Sequence, residues 1–200
     1  NVYNALAAMG VAAALGIELD AAAAALAALE AVPGRMQRID EGQPFSVVVD
    51  YAHTAESLAK VLDELAPTEP EAGLIAVFGS AGDRDPSKRG PMGAAAAERC
   101  RLVIVTDEDP RDEDREHIIE AIASGAEHAG ARRGHDLLLI PDREEAIAAA
   151  LRAARPGDAV LLAGKGHERT IETAAGEIAW DEAAVARAAL KRLGDRPAFG

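Results

Sequence analysis

The sequence is poor in the residues that mark secreted, membrane and nucleic-acid-binding proteins. Its 200 residues include a single cysteine, Cys100, so no internal disulfide can form. Because a helix-like run precedes this thiol, we expect a position in or near the core rather than a nucleophile. Aromatic side chains make up 3% of the chain, too few for a platform that stacks bases. No apolar run approaches the roughly 18 residues of a membrane span, and no signal peptide is visible, which favours a cytoplasmic protein.

Basic side chains are also scarce relative to acidic ones. The chain has 21 Lys and Arg against 34 Asp and Glu, a formal net charge of −13. Nucleic acids and membrane surfaces require a basic face, so neither is expected as a partner. Small anionic ligands are compatible with this balance, since they need only a local cluster of Arg, Lys and backbone N–H groups. The apolar fraction of 49% is enough for one complete domain plus a fragment, and the start without Met in a helical pattern favours a piece of a longer protein.

The chain changes character near residue 33. Residues 1–30 are alanine-rich and predict two helices broken near "GIELD", with Asp20 as a candidate N-cap of the second helix. The breaker "VPG" at 32–34 follows, and we place a domain boundary there. The predicted units are therefore 1–33 and 34–200.

The second unit predicts an α/β fold. Helical patterns alternate there with short apolar runs, which is typical of a mostly parallel sheet with helices on both faces. "ETAAGEIAW" predicts a short antiparallel hairpin around Gly176, and "DEAAVARAALKRL" a closing helix. The predicted strands lie in the segments 45–52, 73–80, 101–108, 136–142 and 158–166.

Four of these five strands end in chemically active residues, at the sheet edge where ligands of parallel sheets bind. Asp50 and His53 follow the first strand, with Thr54 as a candidate helix N-cap. Alternatively, Asp50 caps this helix and His53 is a hydrogen-bonded wall residue. "GSAGDRD" follows the second strand and offers Arg84, which Asp83 and Asp85 would orient either toward a ligand carboxylate or into a surface salt bridge. Neither this loop nor "AGKGHE" has the spacing of a nucleotide phosphate loop.

"DEDPR" and "GKGHE" complete the predicted site. Pro110 restricts the backbone of Asp109, so the side chains of Asp109 and Arg111 should be held in place. A carboxylate and a guanidinium together suit a ligand that has both an ammonium and a carboxylate, although Arg111 could simply neutralise its neighbours. The glycines of "GKGHE" allow close backbone approach to a ligand, and Glu168 could accept a hydrogen bond from an amine. These pieces predict a pocket for a zwitterionic amino acid.

Seven stretches resemble the Mur ligases, and among them the members that add a diamino acid. They are "NVYNALAA", "VPGRMQRID", "VVVDYAHTAESL", "GDRDPSKRGPMG", "TDEDPR", "GDAVLLAGKGHE" and "WDEAAVARAAL", in this order over essentially the whole chain. The resemblance implies that residues 1–33 are the last helices of the central ATP-binding domain. Residues 34–200 are then the Rossmann-like C-terminal domain that binds the amino acid.

The implied reaction joins a diamino acid to UDP-MurNAc-L-Ala-D-Glu through an acyl phosphate, with ATP and Mg²⁺ bound mainly by upstream residues. No catalytic residue or metal ligand is implied within this chain. In this scheme Arg111 takes the distal carboxylate of meso-diaminopimelate, and Glu168 with the Gly164 carbonyl takes the distal ammonium. The implied nucleotide contacts are Asn1, Asn4, Arg35, Asp50 and His53. The implied diamino-acid contacts are Arg84, Asp109, Pro110, Arg111, Gly164 and Glu168.

One departure bears on the substrate. Diaminopimelate enzymes of this family usually have D-N-P-R, and here Asp109 takes the place of the Asn. Arg111 still favours diaminopimelate, because lysine or ornithine offers it no side-chain carboxylate. Other candidates are a related amide ligase, such as cyanophycin or folylpolyglutamate synthetase, and a non-catalytic amino-acid-binding or docking module. A dinucleotide-binding enzyme is disfavoured, since no G-x-G-x-x-G follows the first strand.

Overall fold

The computed structural model describes residues 2–29 and 32–194. The chain divides between Val32 and Pro33 into two compact units. The first unit contains helices α1 (Val2–Ala14) and α2 (Leu19–Ala27), so the two predicted helices are present. The predicted cap of α2 was wrong: Glu18 is the N-cap residue, without a side-chain cap hydrogen bond, and Asp20 lies inside the first turn. There its negative charge interacts favourably with the positive end of the helix dipole, but its side chain does not cap a backbone N–H.

The second unit is built on a six-stranded sheet, which confirms the α/β prediction. Its strands are β1 (Gln37–Ile39), β2 (Ser46–Asp50), β3 (Leu74–Phe78), β4 (Leu102–Val105), β5 (Leu137–Leu139) and β6 (Ala159–Ala163). The strand order is β1-β2-β6-β3-β4-β5, and every pairing is parallel except that of β1 with β2. The five strands β2 to β6 fall inside the predicted apolar runs, whereas β1, a three-residue antiparallel edge strand, was not predicted.

Helices cover both faces of this sheet. The first face is covered by α3 (Ala55–Leu65), α4 (Arg89–Ala97) and α5 (Arg115–His128), and the second by α6 (Arg143–Ala153) and α7 (Glu182–Gly194). Strand β3 shows why its sequence is apolar throughout: Phe78 packs into the first core and Val77 into the second. Each fully buried large apolar side chain of this kind stabilises the fold by about 1.5–3 kcal/mol.

The predicted hairpin and closing helix are also present. Strands β7 (Thr170–Thr173) and β8 (Gly176–Ala179) form an antiparallel pair, and Gly176 follows the turn with a φ of 118°. Among the helices that the structure describes, none has both the length and the apolarity to cross a bilayer.

The strand order brings four loops together. Strand β6 lies between β2 and β3, and β4 is next to β3. The segments that follow β2, β6, β3 and β4 therefore start side by side, at the carboxyl ends of neighbouring parallel strands. Strand β5, whose end carries no candidate ligand residue, lies at the far edge of the sheet. The four segments with the predicted site residues are therefore adjacent.

Candidate functional site

A cavity of about 470 Å³ lies where these four loops meet. Five predicted site residues line it together, although they come from separate parts of the sequence: His53, Arg84, Asp109, Arg111 and Glu168. Its remaining lining residues are Tyr51, Thr54, Ala81, Asp85, Lys88 and Glu108. Arg35, Asp50, Pro110 and Gly164 are outside this lining. Asn4 belongs to the first compact unit, and Asn1 lies outside the described residues.

Asp109 is bound from within the protein. Its side chain is buried, with 5% of the residue exposed, and Oδ1 accepts hydrogen bonds from Lys165 Nζ and from the backbone N–H of Glu172, both at 2.8 Å. Lys165 is itself 1% exposed. A buried carboxylate is costly unless it is paired and hydrogen-bonded, and here it is both. The Asp in place of the usual Asn is thus compensated by an ammonium group of the same chain.

Arg111 is held in an uncommon backbone conformation. Its φ of 53° lies in the left-handed region, which residues other than glycine seldom adopt. Its backbone N–H donates to the Glu172 carbonyl at 3.0 Å, Nε donates to Glu172 Oε2 at 2.7 Å, and Nη1 donates to the Gly82 carbonyl at 3.2 Å. The hydrogen bond from Glu172 raises the pKa of Arg111 above its ordinary value. The sequence predicted that this side chain is held, but Glu172 was not foreseen as the residue that holds it.

Arg84 differs from its predicted environment. Asp83 and Asp85 were expected to orient its guanidinium, but Asp83 Oδ2 accepts from the N–H of Asp112 at 3.3 Å and Asp85 Oδ1 from that of Ser87 at 2.9 Å. Asp83 thus accepts from the backbone of the neighbouring loop after β4, and Asp85 from the backbone of its own loop. Across residues 2–29 and 32–194, no hydrogen-bond or ion-pair partner of the Arg84 guanidinium is found. Arg84 thus lines the cavity as an exposed cation.

The glycines of the "GKGHE" loop are required by contacts within the protein. Gly164 and Gly166 have φ values of 101° and 49°. A Cβ on Gly164 would lie 2.8 Å from Glu108 Oε2, and one on Gly166 would lie 2.8 Å from Tyr51 Cβ. Both glycines are therefore required by close approach to side chains of the site, and the predicted close approach of this loop to a ligand stays a prediction. Strain from positive φ and the lack of space both disfavour any larger residue.

Lys165 and Glu168 extend the internal charge pairing. Lys165 Nζ lies 2.7 Å from Glu168 Oε2, in addition to its bond to Asp109. The Tyr51 hydroxyl donates to Glu168 Oε1 at 3.3 Å. Burial, followed by the Glu168 charge, raises the pKa of Tyr51. Glu168 thus faces the cavity from a fixed position.

Glu108 is an acid of the site that the sequence reasoning missed. It lines the cavity with 6% of the residue exposed, and within the described part of the chain its Oε2 has no hydrogen-bond partner. Burial raises the pKa of Glu108. The available signal was its position, directly before Asp109 at the end of a buried strand. Sequence reasoning also missed Lys88, which lines the cavity and donates to the His53 carbonyl at 3.0 Å.

The predicted nucleotide residues of the second unit lie around Tyr51. Both oxygens of buried Asp50 accept backbone N–H groups, from Met36 at 2.9 Å and from Ala52 at 2.8 Å, so Asp50 does not cap the following helix. The predicted Thr54 cap is correct, with a reciprocal capping box to Ser57. His53 Nδ1 lies 2.9 Å from the Tyr51 carbonyl oxygen.

Arg35 places its guanidinium carbon 4.8 Å from the centre of the Tyr51 ring, within the range of a cation–π contact. No cluster of three or more His, Cys, Asp or Glu side chains suited to a metal ion occurs among residues 2–29 and 32–194. Cys100 is half-buried, and burial raises the pKa of its thiol to about 12, which disfavours a thiolate nucleophile at neutral pH.

Comparison with known proteins identifies the family. A family model described as "Mur ligase, glutamate ligase domain" matches residues 34–166. The chain belongs to the Mur ligase family. Among Mur ligase relatives, the chain is 55% identical over 194 residues to the UDP-N-acetylmuramyl-tripeptide synthetase of Roseiflexus sp. (strain RS-1), covering 97% of this chain and 38% of that protein. It is 44% identical over 192 residues to the UDP-N-acetylmuramoyl-L-alanyl-D-glutamate–2,6-diaminopimelate ligase of Streptomyces coelicolor, covering 96% and 38%.

Solved Mur ligase structures share the fold. A UDP-N-acetylmuramoyl-L-alanyl-D-glutamate–2,6-diaminopimelate ligase superposes with a TM-score of 0.71 at 37% identity, over 98% of this chain and 39% of that one. The UDP-N-acetylmuramate-alanine ligase of Thermotoga maritima superposes with a TM-score of 0.63 at 18% identity, over 97% and 37%, which shows the fold alone. The chain therefore spans just under two fifths of the length of each of these four Mur ligases.

Proposed function

We propose that this chain is the C-terminal part of an ATP-dependent ligase that adds meso-diaminopimelate to UDP-MurNAc-L-Ala-D-Glu, a step in making peptidoglycan precursors. The observation that carries the proposal is the charge pattern of the cavity: Arg84 and Arg111 line it together with Glu108 and Glu168. A diamino acid with two carboxylates and two ammonium groups complements both signs. The names of the relative from Streptomyces coelicolor and of the solved ligase at 37% identity support the same substrate.

Arg111 is the proposed partner of the distal carboxylate. Of the five N–H groups of its guanidinium, Nε–H bonds to Glu172 and one on Nη1 bonds to Gly82. The other three, both on Nη2 and one on Nη1, have no partner among the described residues and form a fork that suits a carboxylate. Arg84 is the proposed second cation for the ligand. Lysine and ornithine would leave the Arg111 fork unsatisfied.

The acids of the cavity are the proposed acceptors of the ligand's ammonium groups. Glu108 is buried with an oxygen that lacks a hydrogen-bond donor, which is costly unless a ligand supplies one. Glu168 and the Gly164 carbonyl are assigned to the distal ammonium. Asp109 and Pro110 contribute by shaping the turn that presents Arg111, since Asp109 Oδ1 already accepts two internal donors.

The nucleotide belongs to the complete ligase in this proposal. ATP supplies the phosphoryl group that activates the acceptor carboxylate, with Mg²⁺ held mainly by residues upstream of this chain. Asn1, Asn4, Arg35, Asp50 and His53 are the proposed contacts from this chain. Arg35 and Asp50 fit this role differently: the Arg35 guanidinium is exposed, whereas both Asp50 oxygens already serve backbone N–H groups and can accept from a ribose hydroxyl only through remaining lone pairs.

The contribution of this chain to the reaction is placement of the attacking amine. Residues 34–200 are the proposed amino-acid-binding domain, and residues 1–33 the last helices of the ATP-binding domain. A ligand whose distal end is bound by Arg111 and Glu168 presents its other amine in a fixed direction. Holding two reactants in register in this way can supply a large part of a rate enhancement.

The substrate is tested with the full-length ligase that carries this chain. Phosphate release is measured with UDP-MurNAc-L-Ala-D-Glu, ATP and each of meso-diaminopimelate, L-lysine and L-ornithine. We expect diaminopimelate to have the highest kcat/KM, and Arg111→Ala to lower this value by about 10- to 100-fold, the effect of losing a charge-assisted bidentate contact.

The matched control is Arg152→Ala, which removes an exposed arginine of α6 that does not line the cavity. It should leave kcat/KM for all three amino acids unchanged. A preference for lysine in the parent ligase would remove Arg111 from its assigned role. Release of phosphate with a different acceptor, such as a folate, would favour another ligase of the superfamily.

A further inference from the structure

We propose that Glu172 on strand β7 is a positioning residue that selects diaminopimelate over lysine by fixing the Arg111 fork. This inference rests on the proposed function. Glu172 does not line the cavity, yet it makes three hydrogen bonds to the turn that does. Its N–H donates to Asp109 Oδ1 at 2.8 Å, its carbonyl accepts from the Arg111 N–H at 3.0 Å, and its Oε2 accepts from Arg111 Nε at 2.7 Å.

These contacts act on a strained residue. Arg111 has a φ of 53°, and a non-glycine residue in this region persists only when its surroundings hold it there. The backbone bond from Arg111 to Glu172 extends the hairpin onto the turn as a parallel bridge between Arg111 and Thr173. The side-chain bond then fixes the rotation of the guanidinium, so that its Nη edge is the part left for a ligand.

Two effects of the Glu172 carboxylate on a bound carboxylate oppose each other. Its negative charge repels the ligand, while its bond to Nε orders the Arg111 fork. The Glu172 side chain is 45% exposed and outside the cavity lining, so solvent and salt screen the repulsion. The ordering acts directly on the group that binds the ligand. Positioning therefore outweighs repulsion, and removal of the carboxylate should weaken diaminopimelate binding.

The hairpin provides a matched control. Glu177 on β8 is directly opposite Glu172 in the antiparallel register, is exposed and is the same residue type. No hydrogen bond or ion pair of its side chain to another described residue is found. Glu177→Ala changes the hairpin charge and composition in the same way as Glu172→Ala, without touching Arg111.

The experiment compares the full-length parent ligase with Glu172→Ala, Glu172→Gln and Glu177→Ala, using diaminopimelate and lysine as substrates. We expect Glu172→Ala to raise KM for diaminopimelate by about tenfold, equivalent to about 1.4 kcal/mol, with kcat and KM for ATP unchanged. KM for lysine should not change, because lysine makes no use of the fork. Glu172→Gln, which keeps an acceptor oxygen, should lie between parent and Ala, and Glu177→Ala should match the parent.

A second arm places Glu172→Ala in the Arg111→Ala background, where it should have no further effect on KM for diaminopimelate. A parent that prefers diaminopimelate, combined with an unchanged KM in Glu172→Ala, overturns the role of Glu172 alone. An equal rise in KM for both amino acids, or a rise in KM for ATP, also overturns the role of Glu172, since a general structural role would produce either result. A parent without preference for diaminopimelate overturns the proposed function, and the inference with it.

Discussion

At the scale of single residues, some charged side chains of the cavity are paired within the protein, whereas Glu108 has an oxygen without a hydrogen-bond partner among the described residues. Lys165 is almost completely buried and pairs with both Asp109 and Glu168, so the Asp in the "DEDPR" turn has a cationic partner within the chain. This turn can therefore differ from D-N-P-R without losing its shape. Glu108 is different, because burial raises the pKa of its carboxyl and one oxygen lacks a donor.

Glu108→Gln tests whether this acid is kept for binding at a cost in stability. A raised pKa means that the folded state holds the proton more tightly than the unfolded state. Stability linked to Glu108 is thus fully present below the ordinary glutamate pKa and is lost as the pH rises through the raised value. Glu108→Gln should remove this loss and stabilise the protein by about 1–2 kcal/mol near neutral pH, measured by urea unfolding. The gain should shrink as the pH approaches the ordinary glutamate pKa.

The same variant should bind diaminopimelate less well, because a neutral amide attracts an ammonium less strongly than a carboxylate. Glu98→Gln is the control, since Glu98 at the end of α4 is exposed and does not line the cavity. A Glu108→Gln protein that is less stable near neutral pH would show that Glu108 has a structural partner and is not reserved for the ligand.

At the scale of elements, a buried ion pair fixes the two loops of the site to each other. Arg143 begins α6 and is 2% exposed, and Glu182 begins α7 and is 1% exposed. Arg143 binds the Glu182 carboxylate through Nε and Nη2, at 2.7 to 3.2 Å. Its Nη1 and Nη2 also donate to the carbonyls of Asp107 and Ala163, at 2.8 and 2.7 Å. These carbonyls precede the "DPR" turn and the "GKGHE" loop.

Removing one member of this pair should therefore lower the free energy of unfolding. Arg143→Met leaves the Glu182 carboxylate buried without its partner, and we expect a loss of about 3–5 kcal/mol in the free energy of unfolding. Chemical denaturation measures the loss. The control is Arg192→Met, which breaks an exposed ion pair with Glu144 between the same two helices and should have little effect. Equal losses in the two variants would contradict a special role for the buried pair.

The helices and strands were largely predictable from the sequence, whereas the hydrogen bonds and ion pairs between them were not. Continuous apolar runs identify β2 through β6, because a strand buried on both faces needs apolar side chains at every position. The short antiparallel β1 has only Ile39 fully buried among its three residues, so its pattern carries no comparable signal. The Glu172 contact could not be predicted, since a hydrogen bond across 61 residues depends on tertiary structure and leaves no local pattern.

At the scale of the whole molecule, strand order decides which loops meet. The sequence identifies the strands but not the insertion of β6 between β2 and β3, because parallel neighbours are joined by long connections. That insertion brings Glu168 to the same cavity as His53 and Arg111. Which residues line the cavity could be predicted in part from the residue types at the ends of the strands. Its internal pairing, with Lys165 and Glu172 holding Asp109 and Arg111, could not.

The division of labour implied by this architecture yields a prediction about the chain by itself. Its 200 residues contain no G-x-x-x-x-G-K-[ST] phosphate loop, and its cavity has charges suited to an amino acid. We therefore expect the isolated chain to release no phosphate and form no amide bond, but to bind meso-diaminopimelate weakly. Isothermal titration calorimetry should detect this binding, with Arg84→Ala and Arg111→Ala weakening it and Arg152→Ala leaving it unchanged. Circular dichroism of each variant checks that the fold is retained.

Amide formation by the isolated chain would contradict the proposal that activation of the acceptor belongs to upstream residues. Heat of binding that survives both arginine substitutions would locate the ligand outside this cavity.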